Sequence, residues 1–342
     1  MYSESDVDGA VAAGALSPEG ARQFRAFVAS SRASPLVDEE HFRLLTGFND
    51  IFVSIAIALL LAAVGGIGGS ITAALGGAAV AATAWLLAGY FTARRRMALP
   101  SILLLLAFVG GTAAALVGAV ETLMPDVSGR VGALLAAGVA TVTAGAAWLH
   151  WQRFQVPITV AAGAVATVAV LVGLLLAALP AAERAIWPLL LVAGLGVFAV
   201  AMRWDLSDRE RLTRRADVAF WLHLAAAPMI AHSIFQMIGA FGDGVGIGTA
   251  VAVLGLYVVF ALVALAVDRR ALLVSGLIYV LYALISLFRT AGALELSWAF
   301  TALVIGSALL TLSAFWHPMR RAVVQRLGGW GERLPPVQAV MA

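Results

Sequence analysis

Two histidines and a glutamine stand out in a chain with few polar residues. His232 and Gln236 are four positions apart, so on a helix they share one face. His223 lies nine positions before His232, which turns it to the opposite side of an ideal helix. Pro228 falls between them. It has no N–H, so it frees the carbonyl of Leu224 and kinks the helix. An imidazole in an apolar helix can relay a proton, contact a polar ligand or tie two helices together. His223, His232 and Gln236 are therefore the candidates for ligand binding or proton relay, and interhelical hydrogen bonding is the competing role. Asp50 and Asp217 stand where the first and seventh apolar stretches begin. Each suits a helix N-cap, where the dipole favours a carboxylate. The alternative is a gate, with one of them paired to an arginine.

Other chemistry is thin. Glu121, Asp126, Glu183, Asp243 and Glu295 all fall between apolar stretches, so none has the depth of a proton-coupling carboxylate. The five histidines (His41, His150, His223, His232 and His317) have no spacing that supports a haem pair. With no cysteine, disulfides and thiolate metal sites are excluded. No cofactor and no metal are expected. Gly242-Asp243-Gly244-Val245-Gly246-Ile247-Gly248 follows no strand, so it reads as a turn and not as a nucleotide loop. No HExxH, GxSxG or Walker pattern occurs, so no catalytic constellation is visible.

The elements that position these residues follow from composition. Of 342 residues, 62% are hydrophobic and 12% charged, against roughly 25% charged in a soluble domain. That excludes an ordinary soluble globule, a disordered chain and a nucleic-acid-binding domain. A spanning helix needs about 20 mostly apolar residues. Such stretches recur at 51–69, 71–92, 101–120, 131–149, 158–179, 186–202, 218–240, 245–267, 271–288 and 297–316. Each must be helical, because lipid offers no partner for an open backbone group. The expected fold is all-α: a polytopic bundle of about ten transmembrane helices over residues 49–317. Gly65 with Gly69, and many Ala/Gly repeats elsewhere, mark close helix packing.

Every basic residue is arginine. With the N-terminus inside, all of them but Arg130, Arg184 and Arg289 fall on the cytoplasmic side, which predicts both termini in the cytoplasm of a bacterial inner-membrane protein. The connection 203–217 mixes acids and arginines and reads as a solvated, self-paired turn or short helix. No cleavable signal peptide is visible, since the chain opens on Glu4, Asp6 and Asp8.

Residues 1–48 read as a short cytoplasmic helical segment, and a docking role for a cytoplasmic protein partner would belong there. Ser17-Pro18-Glu19 is a helix start, and Asp38-Glu39-Glu40 opens a further helix. Residues 318–342 read as a basic amphipathic tail lying at the lipid interface, where arginine attracts anionic lipid headgroups. The expected partner is the bilayer itself, and not nucleic acid. A faint parallel echo links Arg95-Arg96-Met97-Ala98-Leu99 to Arg269-Arg270-Ala271-Leu272.

Gly14-Ala15-Leu16-Ser17-Pro18-Glu19-Gly20-Ala21, ahead of many Ala/Leu/Gly-rich spans, resembles the bacterial predicted-membrane-protein family called domain of unknown function 2157. The resemblance implies a multi-pass inner-membrane protein and carries over no functional residues. The ten-span count also resembles the drug/metabolite transporter superfamily, whose halves are inverted five-helix repeats, a symmetry not visible here. The sequence thus leads to a bundle that binds or transports a small or lipid-like molecule through its seventh span. The rival is a membrane scaffold or sensor working through residues 1–48.

Overall fold

The structure, a computed structural model, describes residues 4–24, 48–208, 211, 213–239, 246–290 and 296–334. The chain divides into two compact units, Met1–Arg43 with Gln338–Ala342, and Leu44–Val337. In the first unit, α1 is Glu4–Ala12 and α2 spans 18–24. The helix start read at Ser17 is present, since the Ser17 hydroxyl accepts from Gly20 N at 3.0 Å. The helix expected from Asp38, and most of the glycine-rich run 242–248, lie outside the described residues.

The second unit is the helical bundle. Its helices are α3 (Phe48–Gly69), α4 (Ala73–Phe91), α5 (Ala98–Leu123), α6 (Gly129–Phe154), α7 (Ile158–Ala178), α8 (Ile186–Leu206), α9 (Arg214–Met237), α10 (Ile247–Val267), α11 (Ala271–Thr290) and α12 (Ser297–Ala314). A short α13 (Trp316–Arg326) follows. Among the described residues, nine helices are long and apolar enough to cross a membrane, and Leu273–Arg289 within α11 is a shorter apolar one. No strand occurs among them. The fold is an all-α bundle compatible with a multi-pass membrane protein.

Burial shows which solvent the bundle is built for. Large apolar side chains point outward along its length: Leu86, Leu123, Ile278 and Leu310 are all exposed, Leu123 by 80%. Water would penalise each such residue by about 1.5–3 kcal/mol, whereas lipid does not. α9 is the exception. In its apolar stretch 56% of residues are buried, against 17–33% in the other spanning helices. It is the central helix, packed against α7, α8 and α11.

Successive helices pair as hairpins: α4 with α5, α6 with α7, α8 with α9, and α10 with α11. Small residues let the backbones approach. A Cβ added at Gly77 of α4 would sit 2.3 Å from Ala115 N of α5, and one at Gly118 would sit 2.6 Å from Ala74 N. Gly65, Gly68 and Gly76 also close α3 on α4, as the sequence led us to expect of Gly65, whereas a Cβ at Gly69 would meet nothing within 4 Å. Each hairpin turn also holds one non-glycine residue in the left-handed region: Arg96 (φ 53°), Gln155 (φ 52°), Arg211 (φ 55°) and Asp268 (φ 61°). These are the only such residues among those described. The two segments of the Arg95/Arg269 echo both lie at such turns, but the left-handed residue falls at different positions in them, Arg96 and Asp268. Alternation of the helices puts all four turns at one end of the bundle, called the turn end below. Arg214 Nη1 donates to Gln155 Oε1 at 2.9 Å and Arg211 Nη1 to Asp268 Oδ2 at 2.9 Å, tying neighbouring turns together.

Candidate functional site

The start of the connection expected to be a solvated, self-paired turn or short helix is helical, and Asp205 in it is not solvated. α8 runs on to Leu206, four residues past the expected end at 202, and this carries Asp205 into the packed interior. Asp205 is 0% exposed. The buried positions of α8 are Gly194, Val197, Ala201 and Asp205, a stripe at helical spacing that ends on a carboxylate. Its main partner comes from another hairpin. Arg269 Nε donates to Asp205 Oδ2 at 3.0 Å and Arg269 Nη2 to Asp205 Oδ1, a two-pronged pair, while Nη2 also reaches Ala216 O at 3.3 Å. Arg211 Nε lies 3.9 Å from Asp205 Oδ1.

A second carboxylate extends this network. Asp268 accepts from Arg211 and, at 2.8 Å, from Trp316 Nε1 of α13; Arg320 Nε lies 3.4 Å away. Burial opposes the Asp268 carboxylate, but Arg211, Arg320 and the Trp316 bond outweigh it and hold its carboxyl below the usual range. Trp316 and Arg320 are both buried. The basic helix is thus pinned to the bundle through these two residues, which leaves Met319, Arg321 and Arg326 exposed.

His223 belongs to the first half of this network. It is fully buried, with Nε2 3.4 Å from Asp205 Oδ2 and its ring edge-on to Phe198 at 5.0 Å. His232 and Gln236 lie further along α9. His232 Nδ1 is 2.6 Å from the Tyr279 hydroxyl of α11, and Gln236 Nε2 is 3.4 Å from His232 Nε2. The Trp187 ring of α8 meets the His232 ring at 5.1 Å. His232 and Gln236 thus share a face, as their spacing required. His223 is not brought to them; the two histidines engage different neighbours about 13 Å apart along α9.

Asp217 is exposed in the first turn of α9, whose cap is Thr213, the hydroxyl accepting from Arg215 N. The N-cap reading of Asp217 is therefore corrected by one turn, although the favourable dipole remains. Asp50 is buried in the first turn of α3. His150, assigned no role, is buried at the turn end of α6, 3.2 Å from the Thr159 hydroxyl, against Trp85, Phe108 and Phe154.

Among the described residues, a large cavity lies away from these polar groups. A cleft of about 870 Å³ runs between α5, α6, α7 and α9. Its walls are apolar: Val109, Ala113, Val117, Leu135, Ala140 and Ala166 among others, with Thr143 bonded to its own helix at Val139 O. Glu121 and Met124 mark one end, and Ile158 and Trp221 the other. α9 contributes Trp221, Leu224 and Ala225. His223, His232 and Gln236 do not line it. Pro228 can offer no N–H to the carbonyl of Leu224, so a residue of the wall carries a backbone acceptor without its helical donor.

Reasoning from sequence missed Asp205, Arg269, Asp268, Arg320 and the cleft. The available signal for Asp205 was its register with the small residues of α8. The Asp205–Arg269 pair spans 64 positions and has no local signature. No protein-family model, curated protein or solved structure matches this chain.

Proposed function

We propose that this multi-pass membrane protein binds a lipid-like molecule in the cleft between α5, α6, α7 and α9. The cleft carries the reading. About 870 Å³ of apolar space beside the most buried helix suits a hydrocarbon chain. Close-packed helices seldom leave a void of that size. Glu121, at the end away from the turns, is the charged residue of the lining that would meet a polar head. The seventh span remains the binding helix, but through Trp221, Leu224 and Ala225 in place of His223, His232 and Gln236. Those three hold the bundle together. Movement of the ligand across the bilayer would begin from this bound state. The turn end, with its arginines, lies in the cytoplasm of a bacterial inner membrane; the arginine distribution supports this.

A photoactivatable phospholipid carrying a diazirine on its acyl chain tests the reading in bilayers. Labelling should concentrate on peptides of 106–169 and on Trp221–Ala225, and Ala140→Phe with Ala166→Phe should reduce it. Equal labelling of the outward faces at Ile278 and Val192, unchanged by the substitutions, would overturn it.

The scaffold reading draws support from Met1–Arg43 forming, with Gln338–Ala342, a compact unit of its own. There, residues 1–48 engage a cytoplasmic partner and the helices are an anchor. Deleting 1–43 separates the two, because cleft labelling survives the deletion only if lipid binding belongs to the bundle.

A further inference from the structure

The cleft between α5, α6, α7 and α9 is apolar for most of its length, and its chemistry changes at the end away from the turns. From Leu106 to Glu121 its wall follows about 22 Å of α5. Among the described residues, Glu121 is the ionisable side chain of the lining, and no arginine lines the cleft. Glu121 stands two residues before the end of α5 at Leu123 and is exposed, so its carboxylate sits where a spanning helix meets the lipid headgroups. Among the described residues, no ion pair or hydrogen bond engages that carboxylate, and Arg130, across the connecting turn in the first turn of α6, is not bound to it.

A second acceptor stands beside the first. Pro125 also lines the cleft, four places on from Glu121, and it has no N–H to give the Glu121 carbonyl. The backbone donors of the lining at this end are already spent. Met124 N donates to Val120 O, Val127 N to Met124 O and Gly132 N to Ser128 O. What the lining leaves open there is a carboxylate and a carbonyl, both acceptors. An ammonium is their complement, since it carries a positive charge and three N–H donors with no acceptor. A choline head matches the charge but has no N–H. A glycerol phosphate head brings a second negative charge to the carboxylate.

We propose that the cleft selects phosphatidylethanolamine from the bilayer, with its primary ammonium on Glu121 and one acyl chain along α5 and α6 toward Ile158. The proposal rests on the lipid reading of the cleft and names the head group. The phosphate, which nothing in the lining complements, stays in the interface. Selection by head group separates the cleft from the outward faces of the helices, which meet every lipid alike.

The test uses the full chain in phosphatidylcholine bilayers with a trace of one of three probes. Each carries the same diazirine acyl chain, on an ethanolamine, choline or glycerol head. Wild-type labelling of 106–169 and Trp221–Ala225 by the ethanolamine probe should exceed that by either other probe by about threefold, the scale of one exposed ion pair. Labelling at Val192 and Ile278 should not depend on the head. Glu121→Gln should bring the ethanolamine probe down to the level of the choline probe. It should leave choline-probe labelling of the cleft unchanged, which shows that the variant is folded. Asp126→Asn, in the connecting turn and outside the lining, should keep the preference. Free ethanolamine should fail to displace the probe. The proposal is overturned if the three probes label the cleft equally, if Glu121→Gln retains the preference, if Asp126→Asn loses as much, or if free ethanolamine competes. Each of these results leaves lipid binding in the cleft standing, whereas absence of cleft labelling by all three probes removes both.

Discussion

Asp205 is the most consequential single residue, because its charge is removed entirely from solvent. A buried pair gains little net stability when made, yet breaking it strands the remaining charge at a cost of ~3–5 kcal/mol. Asp205→Asn should therefore lower the detergent melting temperature sharply, and Asp205→Asn with Arg269→Gln should recover part of the loss. An additive double variant would refute the pairing. Asp268 makes a different prediction, about pH. Its carboxyl is held below the usual range, so its contribution is present above the unfolded value of about 4 and is lost as pH falls through the lower folded value. Acidification below pH 4 should loosen α13, read as lower amide hydrogen-exchange protection over 316–326, and Asp268→Asn should be loose already at pH 7. His232 and Gln236 were legible in the sequence because four-residue spacing suffices to place them on one face. The role of His223 was not, because its neighbour Asp205 comes from the preceding helix at a position the hydropathy window had assigned to a loop.

At the scale of elements, the bundle is a series of hairpins held by small residues. The α4–α5 crossing is the tightest, and Gly77 shows why. An added methyl there would meet backbone at 2.3 Å, and backbone cannot rotate away. Gly77→Ala should cost ~1–3 kcal/mol, within the range for overpacking. Gly89→Ala on the same helix, with nothing within 4 Å, should be neutral or stabilising by ~0.5–1 kcal/mol. Thermal unfolding of the two variants side by side checks the contrast. Helix positions were readable because length and apolarity are local properties, and spans such as 51–69 and 245–267 fall within a few residues of α3 and α10. The end of α8 was misplaced because Asp205 looks like a loop residue until its partner Arg269 is known. α13 was recognisable as amphipathic from Met319, Val323 and Val324 among arginines, but Trp316 was counted with the preceding span, and its bond to Asp268 has no signature in the sequence.

For the whole molecule, the arginine-rich turn end should lie on the cytoplasmic face. The natural absence of cysteine makes this easy to measure. Ala93→Cys and Ser207→Cys should react with a membrane-impermeant maleimide only after the inner membrane is opened, and Ser128→Cys should react in intact spheroplasts. Reaction of Ala93→Cys and Ser207→Cys on opposite faces would break the helix alternation on which the turn end depends.

The sequence by itself determined the solvent, the class of secondary structure and the approximate helix boundaries. Hydrophobic content and backbone hydrogen bonding in lipid leave an α-helical bundle as the solution that sixty-two per cent apolar residues and no alternating strand pattern allow. Tertiary structure alone decided which polar residues meet and where space remains. Asp205 with Arg269, Asp268 with Trp316, and the cleft between α5, α6, α7 and α9 each join segments far apart in the chain. Such contacts depend on how helices cross and on the volume their side chains leave unfilled, and neither quantity is a property of any one stretch of residues.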